Sequence, residues 1–259
     1  MILSKKVVLV TGSTTGIGEA IARRCVQEGA KVMIHGLEDD LARSVIRSLP
    51  EGSVHAVITD LALPENCESL IQATINHFGR LDALVNNAAV LTRSRIENTD
   101  AETFDKTIAV NLRAPLLLVR AAMPQFRKQG GAVVLNIGSM NALCGEPNQL
   151  AYAIAKGGMM TMTRNLADAH GAEKIRFNQL NLGWTVTQRE LVRKKSEGLP
   201  EGWENKVPKV YAPSGRLWSP EQVAAHAVHW LSDEFAPASG IVFELEQYPM
   251  IGRMGAYGF

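Results

Sequence analysis

The chain has 259 residues, 46% of them hydrophobic and 20% charged, with a formal net charge of +1. That length can bury one large core, the composition is that of an ordinary globular protein, and the near-neutral balance gives no reason to expect nucleic acid or an anionic membrane as partner. Three cysteines, Cys25, Cys67 and Cys144, are too few and too scattered for a disulfide framework or a zinc site. No metal, a reducing cytoplasmic setting and three small buried thiols are therefore expected. Met1-Ile-Leu runs into Ser4-Lys5-Lys6 without a cleavage pattern, no apolar stretch is long enough to cross a bilayer, and no repeat or linker divides the sequence. A single soluble domain over 1–259 is the expectation.

In chain order, Lys6-Val-Val-Leu-Val10 is a β-branched run ending in Thr11-Gly12 and reads as a buried strand. A glycine-rich turn, Gly12-Ser-Thr-Thr-Gly16-Ile-Gly18, leads into a helix over 19–28 with apolar spacing at Ile21, Ala22, Cys25 and Val26. Gly29 closes that helix, and a strand over 31–35 follows. The pattern continues as helix 39–49, strand 54–58, helix 65–77 and strand 82–86. Residues 101–129 carry one long helical pattern with Pro115 and Pro124 inside it, so a bend or break is expected near each. Then come strand 132–137, helix 150–170 and strand 175–181. After a loop-rich stretch over 184–217, a helix over 220–231 opens with Pro220 behind Ser219, and a last strand lies near 241–245. Strands alternating with helices this regularly predict right-handed crossovers and a doubly wound α/β fold, a parallel sheet covered on both faces.

Two stretches carry chemistry. Gly12, Gly16 and Gly18 sit between the first strand and a helix, where backbone can approach a pyrophosphate and the helix N-terminus favours its charge. The spacing G-x-x-x-G-x-G departs from the common dinucleotide fingerprint, and a plain tight turn is the competing reading. The second stretch runs from Ser139 to Lys156. Tyr152 and Lys156 lie four apart, on one face of a helix. An ammonium about 4 Å from a phenol, at an effective dielectric near 20, favours the phenolate by roughly 4 kcal/mol, about 3 pKa units. The expectation is a Tyr152 lowered toward working pH, with Ser139 folded back onto the same substrate oxygen. A lone Y-x-x-x-K also arises by accident in any long chain, so its meaning depends on context.

That context is a resemblance. Thr11-Gly-Ser-Thr-Thr-Gly-Ile-Gly18, Asn86-Asn-Ala-Ala89, Asn111, Ser139 and Tyr152-x-x-x-Lys156 occur in the order found in the short-chain dehydrogenases/reductases, over nearly the whole chain. The resemblance implies a Rossmann-type sheet of about seven strands, a nicotinamide dinucleotide cofactor and a homotetramer. It implies catalytic roles for four residues. Tyr152 is the general acid/base, Lys156 tunes it and holds the nicotinamide ribose, Ser139 polarises the carbonyl, and Asn111 holds a water leading to solvent. For Asn111 alone, a buried amide satisfying backbone near Pro115 is the competing reading. Cofactor contacts are implied at Gly12, Thr14, Thr15, Gly16, Ile17, Gly18, Glu38, Asp60, Leu61, Asn87, Ala88, Tyr152, Lys156, Gly183, Val186 and Thr187. Within these, Asp60 would hold the adenine, Asn86 to Ala88 would flank the adenosine, the backbone of Val186 would clamp the carboxamide, and Thr187 would contact a phosphate or the amide.

The chain departs from the family pattern at several points. The family's aspartate for NAD falls on Gly36 and its arginine for NADP on Leu37. Glu38, Asp39 and Asp40 still make the end of the second strand acidic, which favours NAD, with NADP as the alternative. Helix N-terminal charge would also account for those acids. Ala89 replaces a glycine, and Asn181-Leu182-Gly183 replaces N-P-G, which puts bulk beside the nicotinamide. Residues 187–216 are expected to form a substrate lid with Arg189, Arg193, Lys194, Lys195, Lys206 and Lys209, more in keeping with solvated charge than with capture of an anion. Asn141, Glu146, Asn148 and Gln149 suggest a polar pocket for a polyol, sugar derivative or hydroxy acid. The tail after Leu245 lacks the family's Asp-Gly-Gly and is expected to reach a neighbouring subunit.

The function expected is an NAD(P)-dependent interconversion of a secondary alcohol and a ketone. The alternatives are a nicotinamide-using epimerase or dehydratase, whose relatives are usually longer, and a non-catalytic cofactor-binding regulator, in which Ser139, Tyr152 or Lys156 would be eroded.

Overall fold

The structure is a computed structural model that describes residues 1–248. Seven parallel strands form one sheet in the order β3-β2-β1-β4-β5-β6-β7, with helices on both faces, a Rossmann-like single domain. The strands are β1 (Val7–Val10), β2 (Lys31–Gly36), β3 (Val54–Ile58), β4 (Ala83–Asn86), β5 (Ala132–Ser139), β6 (Ile175–Leu182) and β7 (Val242–Leu245). The helices are α1 (Gly16–Gln27), α2 (Asp39–Arg47), α3 (Pro64–Phe78), α4 (Ala101–Ile108), α5 (Ala114–Lys128), α6 (Leu150–His170), α7 (Gln188–Ser196) and α8 (Pro220–Leu231).

Why the sheet is covered on both faces is visible in β1, whose four residues are all buried. Successive side chains point to opposite faces. Val8 and Val10 join Ile21, Cys25, Val223 and Leu231 beneath α1 and α8, whereas Leu9 joins Leu70, Leu84, Leu118 and Phe126 beneath α3 and α5. A strand buried on both sides needs continuous apolar character, which is the pattern of these runs. Cys25 and Cys67 are buried within these layers, and burial pushes the Cys25 thiol up to about 12. Cys144 departs from the expectation and is only partly buried, because it lies on the irregular loop that follows β5.

The elements match their sequence patterns with three informative differences. Strands β5 and β6 run on to Ser139 and Leu182, which pair with each other at the end of the ladder. The long 101–129 pattern breaks once, upstream of Pro115, where Ala109–Arg113 forms a π-helical turn between α4 and α5. No break occurs at Pro124, because α5 runs through it with the proline on the exposed face, where the carbonyl it leaves unpaired meets water. The 184–217 stretch is less irregular than its composition suggests. It holds α7, a 3-10 turn at Trp203–Asn205, and a small core of Trp203, Ala212 and Leu217. No helix among the described residues is long and apolar enough to cross a membrane. The expectation for the C-terminal tail falls largely on 249–259, outside the described residues.

Candidate active site

Strand β1 has β2 on one side and β4 on the other, so the strand order reverses there and a crevice opens beyond the carboxyl ends of the strands. A cavity of about 1050 Å³ fills it, running from the glycine turn and Glu38 past Asn87 and Ala88 to Ser139, Tyr152 and Lys156, with α7 above.

At one end the wall is mostly backbone. Gly12 and Gly16 have φ of 61° and 60°, the left-handed region that favours glycine. A Cβ on Gly12 would lie 2.8 Å from Ala88 Cα, and one on Gly18 would lie 2.2 Å from the Gly12 carbonyl. Thr15 is the N-cap of α1 yet makes no side-chain cap hydrogen bond, so no side chain covers the first amides of that helix where they border the cavity. Thr14 and Ile17 also line this end, and Thr187 crosses above it, its methyl 3.5 Å from a Cβ built on Gly16.

The turn is locked from behind. Asn87 Nδ2 donates to the carbonyls of Thr11 at 2.8 Å and Gly12 at 3.0 Å, and the amides of Asn87 and Ala88 donate to Thr11 Oγ1. Gly12 N donates to His35 Nδ1 at 3.1 Å, which puts the ring proton on Nε2, facing the Thr59 carbonyl at 2.9 Å. Burial holds the His35 pKa below its usual value, in keeping with a neutral ring. His35 was invisible as a functional residue in the sequence, where it is one polar residue in an apolar strand. Asn86 does not flank the adenosine end as expected. Its side chain is buried and donates to Asn136 Oδ1 at 2.8 Å.

Asp60 and the buried Leu61 border the cavity beyond β3, and Asp60 Oδ1 also accepts from Ala62 N at 2.8 Å. Glu38 is paired with Arg189 of α7 at 3.2 Å, and Asp39 with Arg43 at 2.6 Å, so two of the three acids beyond β2 carry a counter-charge. Gly36 packs against Thr14, whose Oγ1 would lie 2.5 Å from a Cβ at position 36.

At the other end the residues are side chains with protons to move. Tyr152 is buried and lines this end of the cavity with Ser139, whose hydroxyl accepts from Asn141 N at 3.2 Å. Lys156 is buried beside it, with Nζ donating to the Ile137 carbonyl at 2.7 Å and lying 5.6 Å from the Tyr152 ring centroid. The expected lowering of the Tyr152 pKa is not found. Burial pushes the phenol up to about 12, against the opposing pull of the Ser139 hydrogen bond and the Arg193 charge. Burial also lowers Lys156 to about 8. Desolvation of the phenolate, which spacing along the chain does not reveal, is the largest effect on this phenol.

Asn111 lies in the π-helical turn and is fully buried, its Oδ1 accepting from Val90 N at 2.7 Å and its Nδ2 donating to Val90 O at 2.9 Å. The side chain is thus committed to backbone, as the competing reading anticipated, although to a loop rather than to the helix. Pro115 has no N–H for the Asn111 carbonyl four residues back, so that carbonyl lacks its α-helical donor. Val186 does not face the cavity: its amide donates to Trp218 O at 2.9 Å, and its side chain packs on the Trp203 cluster. Its neighbour Thr185 borders the cavity, as do Leu182 and Gly183. Asn141, Glu146, Asn148 and Gln149 all line the substrate end, as expected. Above them α7 turns Arg193 and Lys194 inward, whereas Lys195, Lys206 and Lys209 face solvent.

These residues fit a dinucleotide. A positive-φ glycine turn, an uncapped helix N-terminus and a cavity long enough to join them to a buried Tyr–Lys pair meet the needs of a pyrophosphate and a reactive ring.

Comparisons with known proteins agree. The short chain dehydrogenase family model matches residues 6–197. An L-rhamnose 1-dehydrogenase (NAD(P)(+)) of Azotobacter vinelandii is 33% identical over 240 residues, 90% of this chain and 92% of its own. A D-beta-hydroxybutyrate dehydrogenase of Rhizobium meliloti is 32% identical over 246 residues, 91% of this chain and 95% of its own. The solved structure of L-sorbose reductase from Gluconobacter frateurii, complexed with NADPH and L-sorbose, superposes with a TM-score of 0.91 at 27% identity, covering 98% of this chain and 100% of that one. The chain belongs to the short-chain dehydrogenase family and is an oxidoreductase.

Proposed function

We propose that the protein interconverts a ketone and a secondary alcohol on a polar, hydroxylated small molecule, with Tyr152 as the general acid/base. The observation that carries this reading is the meeting of Ser139, Tyr152 and the buried Lys156 at one end of the cavity, with Lys156 Nζ 5.6 Å from the Tyr152 ring centroid. A nicotinamide dinucleotide, when bound, supplies or accepts the hydride. Gly12 to Gly18 would hold its pyrophosphate, Asp60 and Leu61 its adenine end, Asn87 and Ala88 its middle, and Lys156, Gly183, Thr185 and Thr187 its nicotinamide end.

The residues divide the remaining work. Ser139 donates a hydrogen bond to the substrate oxygen and orients it toward the phenol. Tyr152, neutral with its pKa raised to about 12, is a proton donor as it stands, which suits ketone reduction. In the oxidative direction it must first lose that proton, and the Lys156 charge stabilises the phenolate then formed. A water held at Asn111 would carry the proton between Lys156 and solvent.

We favour NAD over NADP because Glu38 borders the cavity beyond β2, with Asp39 and Asp40 next to it in the chain. Pairing of the first two with Arg189 and Arg43 keeps the preference modest, about tenfold. The assembly expected is a homotetramer, in keeping with Leu116 on α5 and Ile154 on α6, 46% and 47% exposed. Light scattering tests that expectation directly.

The test of function is Tyr152→Phe. Turnover of a hydroxyketone should fall roughly a thousandfold while dinucleotide binding, read by fluorescence, is unchanged. Retained turnover would reject this mechanism.

A further inference from the structure

Residue 35 ties the glycine turn to the sheet from behind. Ser13 N donates to the His35 carbonyl at 2.8 Å, and His35 N donates to Ser13 Oγ at 3.0 Å. Both bonds use the main chain of β2 and would survive a change of side chain at position 35. The third does not: Gly12 N donates to His35 Nδ1 at 3.1 Å, so an imidazole holds the first amide of the turn.

One protonation state of that ring suits both of its neighbours. An amide nitrogen only donates and a carbonyl only accepts. Nδ1 must therefore be unprotonated toward Gly12, and Nε2 must carry the proton toward Thr59 O, 2.9 Å away. A second proton would set a donor on Nδ1 against the Gly12 donor. The Thr59 bond would persist, and Asp60 next to it would attract the new charge. The Gly12 amide would be left without an acceptor, which favours a shift of the turn or of the ring.

The turn has little slack to absorb that shift. A Cβ on Gly12 would lie 2.8 Å from Ala88 Cα, and the Gly12 carbonyl is held by Asn87 at 3.0 Å. Movement of Gly12 therefore moves the backbone that borders the cavity.

The other titratable groups around β2 leave the ring to this choice. The turn over Thr11 to Ile17 carries none, and Glu19 of α1 is paired with Arg23. On β3, His55 pairs with Met33, two residues back, and stacks on His77. On α3, burial pushes the Cys67 thiol up to about 11, so it stays neutral. Asp60 raises the His35 pKa, but burial outweighs it and holds the value below 6.5, so the proton arrives in mildly acid solution.

We propose that His35 is a positioning residue for the dinucleotide, its neutral ring fixing the Gly12 amide so that a proton taken up there loosens the cofactor's seat. This inference rests on the reading of the glycine turn as that seat. It places a control on cofactor affinity outside the Ser139, Tyr152 and Lys156 group.

The test is fluorescence titration of NADH and NADPH onto the full-length enzyme at pH 7 and pH 5. Lys156, with a pKa of about 8, keeps its charge across that interval. Wild-type Kd should rise about 3- to 30-fold on acidification, the range open to one proton taken up below the ordinary histidine pKa. His35→Asn puts an oxygen, which takes no proton, where Nδ1 stood. It should bind within about threefold of wild type at pH 7 and lose that pH dependence. His35→Gln reaches Thr59 but offers Gly12 no acceptor, and should bind roughly tenfold more weakly already at pH 7. A wild-type Kd that is constant or falls toward pH 5 would overturn the proposal. So would a pH dependence that survives in His35→Asn, or a His35→Gln that binds like wild type. Failure of wild type to bind either dinucleotide at pH 7 would instead sink the reading of the turn as a cofactor seat.

Discussion

The two ends of the cavity are built from different materials. At the glycine turn the wall is main chain, shaped by positive-φ glycines and fixed by hydrogen bonds from Asn87, Thr11 and His35. At the α7 end it is side chains, and their positions depend on Glu190, Glu197 and Glu146 holding Arg193, Lys194 and Arg93. NAD and NADP carry the same pyrophosphate, so a surface of backbone amides serves it with few identity requirements beyond glycine. A substrate differs between relatives, and selectivity for it comes from donors and acceptors that single substitutions can change.

The largest effect expected on this contrast comes from the backbone end. In Gly18→Ala the new methyl would overlap the Gly12 carbonyl at 2.2 Å and Asn87 Nδ2 at 2.4 Å, neither of which has room to move. Dinucleotide affinity, measured by fluorescence titration, should fall by roughly 100-fold or more, about 3 kcal/mol, with a lower Tm. A normal affinity would show that the turn is not the cofactor seat.

Next in size is Glu190→Gln. Removing the charge from a buried ion pair costs up to about 3–5 kcal/mol, although the amide retains an acceptor for Trp184. A drop in Tm of several degrees is expected, together with a higher KM for the hydroxylated substrate and unaltered dinucleotide binding. Loss of dinucleotide binding instead would break the division between the two ends.

Lys156 supplies a pH signature. Its pKa is about 8 in the folded protein against an ordinary 10.5, so between those values the unfolded chain binds more protons and stability rises with pH. Below about pH 8 the buried ammonium costs stability in full. The Tm difference, Lys156→Met minus wild type, should therefore be more positive at pH 7 than at pH 10. A difference independent of pH would mean that the ammonium is not buried.

The smallest effect is expected at Glu38. Glu38→Gln frees Arg189 and removes one acid, so kcat/KM with NADP should rise a few-fold relative to NAD, within the range of a single exposed charge. No change in the ratio would remove Glu38 from cofactor selection.

The same contrast explains how much was legible in the chain. The sheet, its helices and the glycine turn follow from continuous apolar runs, 3.6-residue periodicity and glycine placement, which are local signals. The π-helical turn before Pro115 and the unbroken passage through Pro124 were not legible, because both depend on which face of the helix meets water. Tyr152 was found by its spacing from Lys156, but the direction of its pKa shift was misread, since desolvation is a property of the folded surroundings. That Thr185 borders the cavity while Val186 packs on the Trp203 cluster was not legible, because a loop has no periodicity to say which residue faces inward. Arg193 was visible only as one cation in a basic stretch.

The contact between Gly36 and Thr14 constrains any lineage or designer that would change this enzyme's cofactor. An aspartate at position 36, the family's usual device for selecting NAD, would drive its Cβ to 2.5 Å from Thr14 Oγ1. Room for that acid requires Thr14 to shift or to be replaced by a smaller residue, so a change at position 36 is coupled to the residue at position 14.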